Sequence, residues 1–452
     1  MYVHGNLPGQ TSISGGSASR KTPRVAFFPD SFEEVNGVAL TSREFARFAR
    51  ACYYPFLCVH AGWRTGHLRR GSYEAFALAR SRAVLHLEHD LFFDLLFLRH
   101  RKKVRKILEA FRPDLVHITG PGHIGMLGAM LAHDLGIPLV ASWHTNVHEF
   151  GSRRLLKLLE RWPEGWRNAI ASSAERFALD LTIWFYRHAR MGFAPNPELL
   201  EMLQSRTHRP VFPMPRGIDT ALFSPARRVR ADSAFLIGCV GRLSAEKNVR
   251  FLAALDRMLR DRGVHTHRFL VVGEGSERAW LREHLSNVEL PGMLRGEALA
   301  SAYASMDVFV FPSETDTFGN VALEAMASGV PVVVSSRGGP KYLVDEGVDG
   351  FVASSASQFA DAVLALHDDP ALRLRMASAA RESSLSRSWD AVFEGVYERY
   401  REGFRNRTLL RREPEDYSRI SFKTRPAEPL GVSTPRSTES VGATSLMATR
   451  SR

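Results

Sequence analysis

A chain of 452 residues, 44% hydrophobic and 24% charged, has the make-up of a globular protein rather than a disordered or fibrous one, and exceeds the ~250–300 residues at which a single core stops growing. Cys52, Cys58 and Cys239 have no metal-ligand spacing and fit a reducing compartment, no apolar run reaches the ~20 residues that cross a bilayer, and the Gly/Ser/Pro stretch 5–21 has no apolar signal core, so a cytoplasmic location is expected. The net charge of +12 calls for an anionic partner, and the lack of a nucleic-acid motif or of basic strands interleaved with aromatics excludes nucleic acid, leaving anionic lipid or nucleotide diphosphates.

Residues 1–22 are rich in Gly, Ser and Arg and are expected to be disordered, as are 406–452. Between them, apolar strand-like runs alternate with helix-length segments. In the first half the runs are 25–28, 56–60, 115–118, 138–142 and 192–194. In the second half they are 235–240, 269–272, 308–311, 332–334 and 351–352, with a weaker candidate near Val288. Such alternation predicts α/β architecture, two doubly wound parallel sheets covered on both faces. The proline-dense link 210–215 divides them into a first domain, 23–209, and a second, 216–388, and 389–405 reads as a closing amphipathic helix.

The loop after the first strand, 29–38, ends in Asn36-Gly37-Val38, and Gly37 permits close backbone approach before a helix over about 38–50. Two basic clusters follow. Arg99, Arg101, Lys102, Lys103, Arg105 and Lys106 form one; Arg153, Arg154, Lys157, Arg161 and Arg167, with Trp162 and Trp166, form the other. Tryptophans beside cations suit a peripheral contact with an anionic membrane surface, and a plain solvated basic face fits equally. Gly120-Pro121-Gly122-His123-Ile124-Gly125 matches the dinucleotide fingerprint, but Pro121 removes a backbone donor and no acid ends the next strand, so NAD binding is not expected. His144, with His117 and His123 as weaker candidates, ends a strand from which an imidazole can bond a sugar hydroxyl or position an acceptor.

In the second half, Gly241-Arg242 ends one strand and Lys247 lies near the start of the next helix. Their cations can converge above the sheet and neutralise a departing diphosphate without a metal, Arg as a fork and Lys as a point charge. Gly273-Glu274-Gly275 makes a tight turn after another strand. The string 311–334, FPSETDTFGNVALEAMASGVPVVV, is a strand, an acidic loop, a helix from about Val321 and another strand. It places the amides of Phe318, Gly319 and Asn320 at a helix N-terminus suited to phosphate, while Asp316 and Glu324 suit sugar hydroxyls.

This string resembles the signature of retaining GT-B glycosyltransferases of glycosyltransferase family 4 (group 1), an acid and seven residues before Glu, then Glu-Ala-Met-Ala-x-Gly-x-Pro-Val-Val. The first acid is Asp316 where the family has Glu, with Glu314 as the nearby alternative, and Asn146 replaces the acid that usually follows His-Thr. Gly-Arg-x4-Lys at 241–247 and Gly-Ile-Asp-x3-Phe at 217–223 fit the same family. The resemblance implies a GT-B fold and metal-independent hexosyl transfer from a nucleotide diphosphate sugar to an acceptor hydroxyl on a glycolipid or glycan, with no cofactor. It implies a first domain that takes the acceptor, a second that takes the donor, and a terminal helix that crosses back. Arg242 and Lys247 would stabilise the leaving diphosphate, Asp316 the donor sugar and Glu324 the ribose, with Gly37, Gly241, Glu274, Glu314 and Phe318–Asn320 completing the donor site. The acidic string most resembles members that use GDP-mannose or UDP-hexoses, which favours a mannosyl donor. A nucleotide-sugar epimerase or a silent membrane-bound scaffold are the other readings.

Overall fold

A computed structural model describes residues 22–34, 36–88, 91–144, 164–230 and 232–405. Asn146, residues 153–161 and Trp162 of the second basic cluster, and both tails lie outside the described residues.

Two sheets organise the chain. The first runs β10-β9-β8-β7-β1-β2-β4-β3 and the second β13-β12-β11-β14-β15-β16. In the first, β1 (Val25–Phe28), β2 (Phe56–Gly62), β3 (Gly66–Arg70), β4 (Tyr73–Ala79), β7 (Leu115–Ile118), β8 (Leu139–Ser142), β9 (Met191–Ala194) and β10 (Val211–Pro213) are parallel except for β3. A small antiparallel pair, β5 (Val84–Glu88) and β6 (Leu91–Asp94), stands apart. The second sheet is wholly parallel: β11 (Leu236–Val240), β12 (Arg268–Val272), β13 (Val288–Gly292), β14 (Val308–Phe311), β15 (Val332–Ser335) and β16 (Gly350–Ala353).

The central strands are buried along their whole length, which is why they read as unbroken apolar runs rather than alternating ones. Each sheet carries an apolar cluster on both faces. Helix Gly37–Ala51 starts where the Asn36 side chain accepts from the Ala39 amide at 2.8 Å. Helix Trp389–Arg405 returns to the first sheet. Phe393 stacks on Phe45 at 4.6 Å, and Arg47 pairs with Asp390 at 2.7 Å. Gly217 faces Trp389 so closely that a Cβ there would lie 2.4 Å from the Trp389 backbone nitrogen.

Two expectations need correction. The link 210–215 is not free of the first sheet, because Val211–Pro213 pairs with β9 as an edge strand. Proline is tolerated at such an edge, where the ladder needs no donor from it. The first sheet also extends through β4 and β3, which the sequence reading passed over. Every residue of Gly66–Arg70 is exposed, so that strand has no apolar face to betray it.

Candidate active site

The carboxyl ends of β1, β7 and β8 in one sheet face those of β11, β12 and β14 in the other across a cleft of about 440 Å³. Arg242, Lys247, Asp316, His144, Gly37, Gly241, Glu274, Phe318, Gly319 and Asn320 all line it.

On the second-domain wall, glycines let two loops press together. Gly273 has φ +141°, and a Cβ there would lie 1.9 Å from the Gly241 carbonyl oxygen. The Leu243 amide donates to the Glu274 carbonyl at 2.9 Å. This packing fixes the turn that carries Arg242 and Lys247. Lys247 Nζ donates to Asp316 Oδ1 at 2.7 Å, and the two side chains are 17% and 22% exposed. Burial pushes the Asp316 carboxyl up, but the Lys247 ammonium, with Ser313 and Arg242 beside it, outweighs burial and holds it below the usual range. Asp316 Oδ2 is buried and meets no donor in hydrogen-bonding geometry among the described residues. Arg242 lies 3.8 Å from Glu246, a contact too long for a hydrogen bond. Two cations and one acid thus line the same wall of the cleft.

The loop 312–319 also ties the walls together. Asn196 donates to the Thr317 carbonyl at 2.6 Å, and the Thr317 hydroxyl donates to the His144 carbonyl at 3.0 Å. Gly319 caps helix Asn320–Ala327 with φ +92°, and a Cβ there would meet Pro340 Cγ at 2.7 Å. A Cβ on Gly37 would lie 3.0 Å from Asn320 Nδ2, so the first-domain loop and the second-domain helix start approach across the cleft.

Two acids stand elsewhere. Glu314 faces solvent, 3.4 Å from Arg337, and does not line the cleft, which leaves Asp316 as the acid of this loop that does. Glu324 is also outside the lining; its carboxylate accepts from the Tyr303 hydroxyl at 2.7 Å, and burial pushes it up to about 7. Glu274 lines the cleft, half-exposed, with Arg278 3.6 Å away.

On the first-domain wall the glycine-rich loop is already filled. Asp30 accepts from the amides of Gly122 and Gly125, both at 3.0 Å. Burial, only partly offset by those amides, pushes its carboxyl up to about 6. A Cβ on Gly120 or Gly122 would fall within 2.6 Å of an Asp30 oxygen. The glycines therefore make room for an internal carboxylate where a dinucleotide fold would seat a pyrophosphate.

His144 lies in a directed chain. Arg216, which can only donate, gives a hydrogen bond to His144 Nδ1 at 2.8 Å, so the ring proton sits on Nε2 and points to Ser142 Oγ at 2.6 Å. The Ser142 hydroxyl then donates to His117 Nε2 at 2.9 Å, and His117 Nδ1 meets the Tyr400 hydroxyl. Burial drives both imidazoles down, His117 to about 3 and His144, helped by Arg216, well below its ordinary range. Both are neutral, and both ring nitrogens of His144 are engaged within the protein. Asp30, Asn196, Arg216 and Thr317 escaped the sequence reading. Only the Arg216-Gly217 turn carried a signal, because it adjoins the interdomain motif.

Two parallel-sheet domains facing a single cleft define the GT-B class of glycosyltransferases. The fold is shared with sucrose-phosphate synthase from Thermosynechococcus elongatus, at TM-score 0.64 and 18% identity over 84% of this chain and 99% of that one. The glycosyl transferases group 1 model matches residues 234–369, and the glycosyltransferase family 4 model matches 35–222. A GDP-mannose-dependent alpha-mannosyltransferase of Mycolicibacterium smegmatis is 33% identical over 68% of this chain and 79% of its own length. Another of that description, from Corynebacterium glutamicum, is 28% identical over 83% of this chain and 88% of its own. The chain belongs to glycosyltransferase family 4 and is a glycosyltransferase.

Proposed function

We propose that the protein transfers a mannosyl group, with retention, from GDP-mannose to an acceptor hydroxyl on a lipid or glycan, without a metal. The carrying observation is the meeting of Arg242, Lys247 and Asp316 on one wall of the interdomain cleft. The choice of donor leans on the two relatives described as GDP-mannose-dependent. In the reaction the bond between the anomeric carbon and the diphosphate oxygen breaks, and the electron pair leaves with the diphosphate. Arg242 and Lys247 stabilise the charge that develops there, the kind of electrostatic contribution that is often the largest in catalysis. The acceptor oxygen bonds to the same face of that carbon and passes its proton to the departing phosphate oxygen. Asp316, charged at neutral pH and paired with Lys247, lines the cleft and is the acid that accepts a hydroxyl of the donor sugar.

A lipid acceptor would need a surface to meet the membrane, and the first domain offers one. Leu95, Leu96 and Leu98 are exposed, directly before a helix, Arg101–Phe111, whose Arg101, Lys102, Lys103, Arg105 and Lys106 are all exposed. Apolar anchors beside a basic face suit an anionic bilayer. Among the described residues no helix is long and apolar enough to cross a membrane.

A thermal-shift screen of GDP-, UDP- and ADP-sugars tests the donor, because a ligand that binds only the folded state raises the melting midpoint. GDP-mannose should give the largest shift, and proton NMR of the product should show the anomeric configuration of the donor. A larger shift with another nucleotide sugar, an inverted product, or sugar release that needs no acceptor would refute the corresponding part of the reading.

A further inference from the structure

Arg216 carries a charge that no acid among the described residues balances. It is 3% exposed, yet it lines the cleft. Among the described residues its hydrogen bonds are Nη2 to His144 Nδ1 at 2.8 Å and Nη1 to the Met214 carbonyl at 3.3 Å, and neither acceptor is charged. Other well-buried cations of this protein have carboxylates: Arg80 has Glu34, Arg230 has Asp307 at 2.6 Å, and Lys247 has Asp316 at 2.7 Å. Burial without such a partner pushes the Arg216 guanidinium down to about 10, which leaves it charged at neutral pH. A neutral amide could serve the His144 ring as well. A cation kept dry and unpaired costs stability unless a ligand supplies the missing anion.

The guanidinium has five N–H donors in a flat fork, and the two bonds above leave most of them unused. Its plane is held by His144, whose own ring is fixed through Ser142 and His117. A rigid, partly satisfied fork on a cleft wall matches the two oxygens of a phosphoryl group.

We propose that Arg216 is an oxyanion-binding residue of the cleft, which grips a phosphoryl oxygen of a bound substrate with the donors that His144 and Met214 leave unused. The inference rests on the nucleotide-sugar reading above and adds a third cation to the cleft, held against His144. The phosphoryl group has two sources, the diphosphate of the donor or a phosphate borne by the acceptor.

Calorimetric titration of wild type, Arg216→Gln and Arg216→Lys separates the cases. The ligands are GDP, guanosine, and inorganic phosphate added to GDP-saturated protein. If the donor diphosphate is the partner, Arg216→Gln weakens GDP about tenfold or more and leaves guanosine unchanged, while Arg216→Lys loses about threefold, since it keeps the charge but not the fork. If the acceptor is the source, GDP binds all three proteins alike, and phosphate binds GDP-loaded wild type but not Arg216→Gln. Should Arg216→Gln fail to fold, the Arg216→Lys loss carries the test. Wild-type affinity of the folded variants for GDP and for phosphate would overturn the proposal. A wild type that binds no nucleoside diphosphate would instead overturn the donor reading on which it rests.

Discussion

Lys247 Nζ stands 2.7 Å from Asp316 Oδ1, joining the loop after β11 to the loop after β14. The ammonium is thereby positioned before any ligand arrives, and the carboxylate keeps its charge although it is buried. Preorganised charge of this kind needs no rearrangement when a leaving group develops its own.

Lys247→Ala should lower kcat by ~10²–10³-fold, the magnitude typical of removing one preorganised stabilising group. It should also lower stability, because Asp316 is left buried without its cation. The double variant Lys247→Ala/Asp316→Asn should recover the melting temperature but not the turnover. Chemical denaturation and steady-state kinetics read the two effects separately, and near-normal turnover in the single variant would count against the assigned role.

Gly319→Ala should destabilise the protein by roughly 1–3 kcal/mol, since alanine is strained at φ +92° and its Cβ would press on Pro340. Gly37→Ala meets only the end of the Asn320 side chain, at 3.0 Å, so the fold should survive. Its effect should fall on KM for the donor, because Asn320 must move. Urea unfolding and initial-rate kinetics distinguish a strained backbone from a displaced side chain.

Glu324 gives a pH signature. Its carboxyl is raised from 4.5 to about 7 in the folded protein, so its contribution is fully stabilising below 4.5 and is lost as pH rises through about 7. Glu324→Gln keeps an acceptor for the Tyr303 hydroxyl without the charge. It should therefore gain up to ~3 kcal/mol over wild type at pH 8 and almost nothing at pH 4. Unfolding free energies at the two values check this, and a constant difference would contradict it.

Asp30→Ala removes the acceptor of two buried amides, Gly122 and Gly125, and should cost roughly 1–3 kcal/mol in denaturant unfolding. NADH should bind neither the variant nor the wild type with micromolar affinity, as fluorescence titration would show. Dinucleotide binding by the wild type would mean that Asp30 does not occupy the loop.

Legibility followed burial and locality. Core strands such as Val308–Phe311 and Val332–Ser335 were readable because they are buried on both faces and appear as unbroken apolar runs. The exposed Gly66–Arg70 has no apolar face to show, although its partner Tyr73–Ala79 follows it in a tight hairpin, and Val211–Pro213 is too short and proline-ended to read as a strand before it pairs with Met191–Ala194. Arg242, Lys247 and Asp316 were legible because each lies within a few residues of a core strand, inside a compact motif. Asp30 and Arg216 were missed because their partners lie 92 and 72 residues away, at Gly122 and His144. His144 lines the cleft, but nothing local shows that both its ring nitrogens are already bonded. Glu324 shares the helix of Asn320, yet its carboxylate meets Tyr303 on the preceding helix.

Titration of GDP-mannose into wild type, Arg242→Ala and Lys247→Ala by calorimetry tests the central claim most directly. Saturable binding of one equivalent by the wild type is expected, weakened about 10- to 100-fold in each variant as a charge-assisted contact to the diphosphate is lost. Undiminished affinity in both folded variants would show that the diphosphate is held elsewhere.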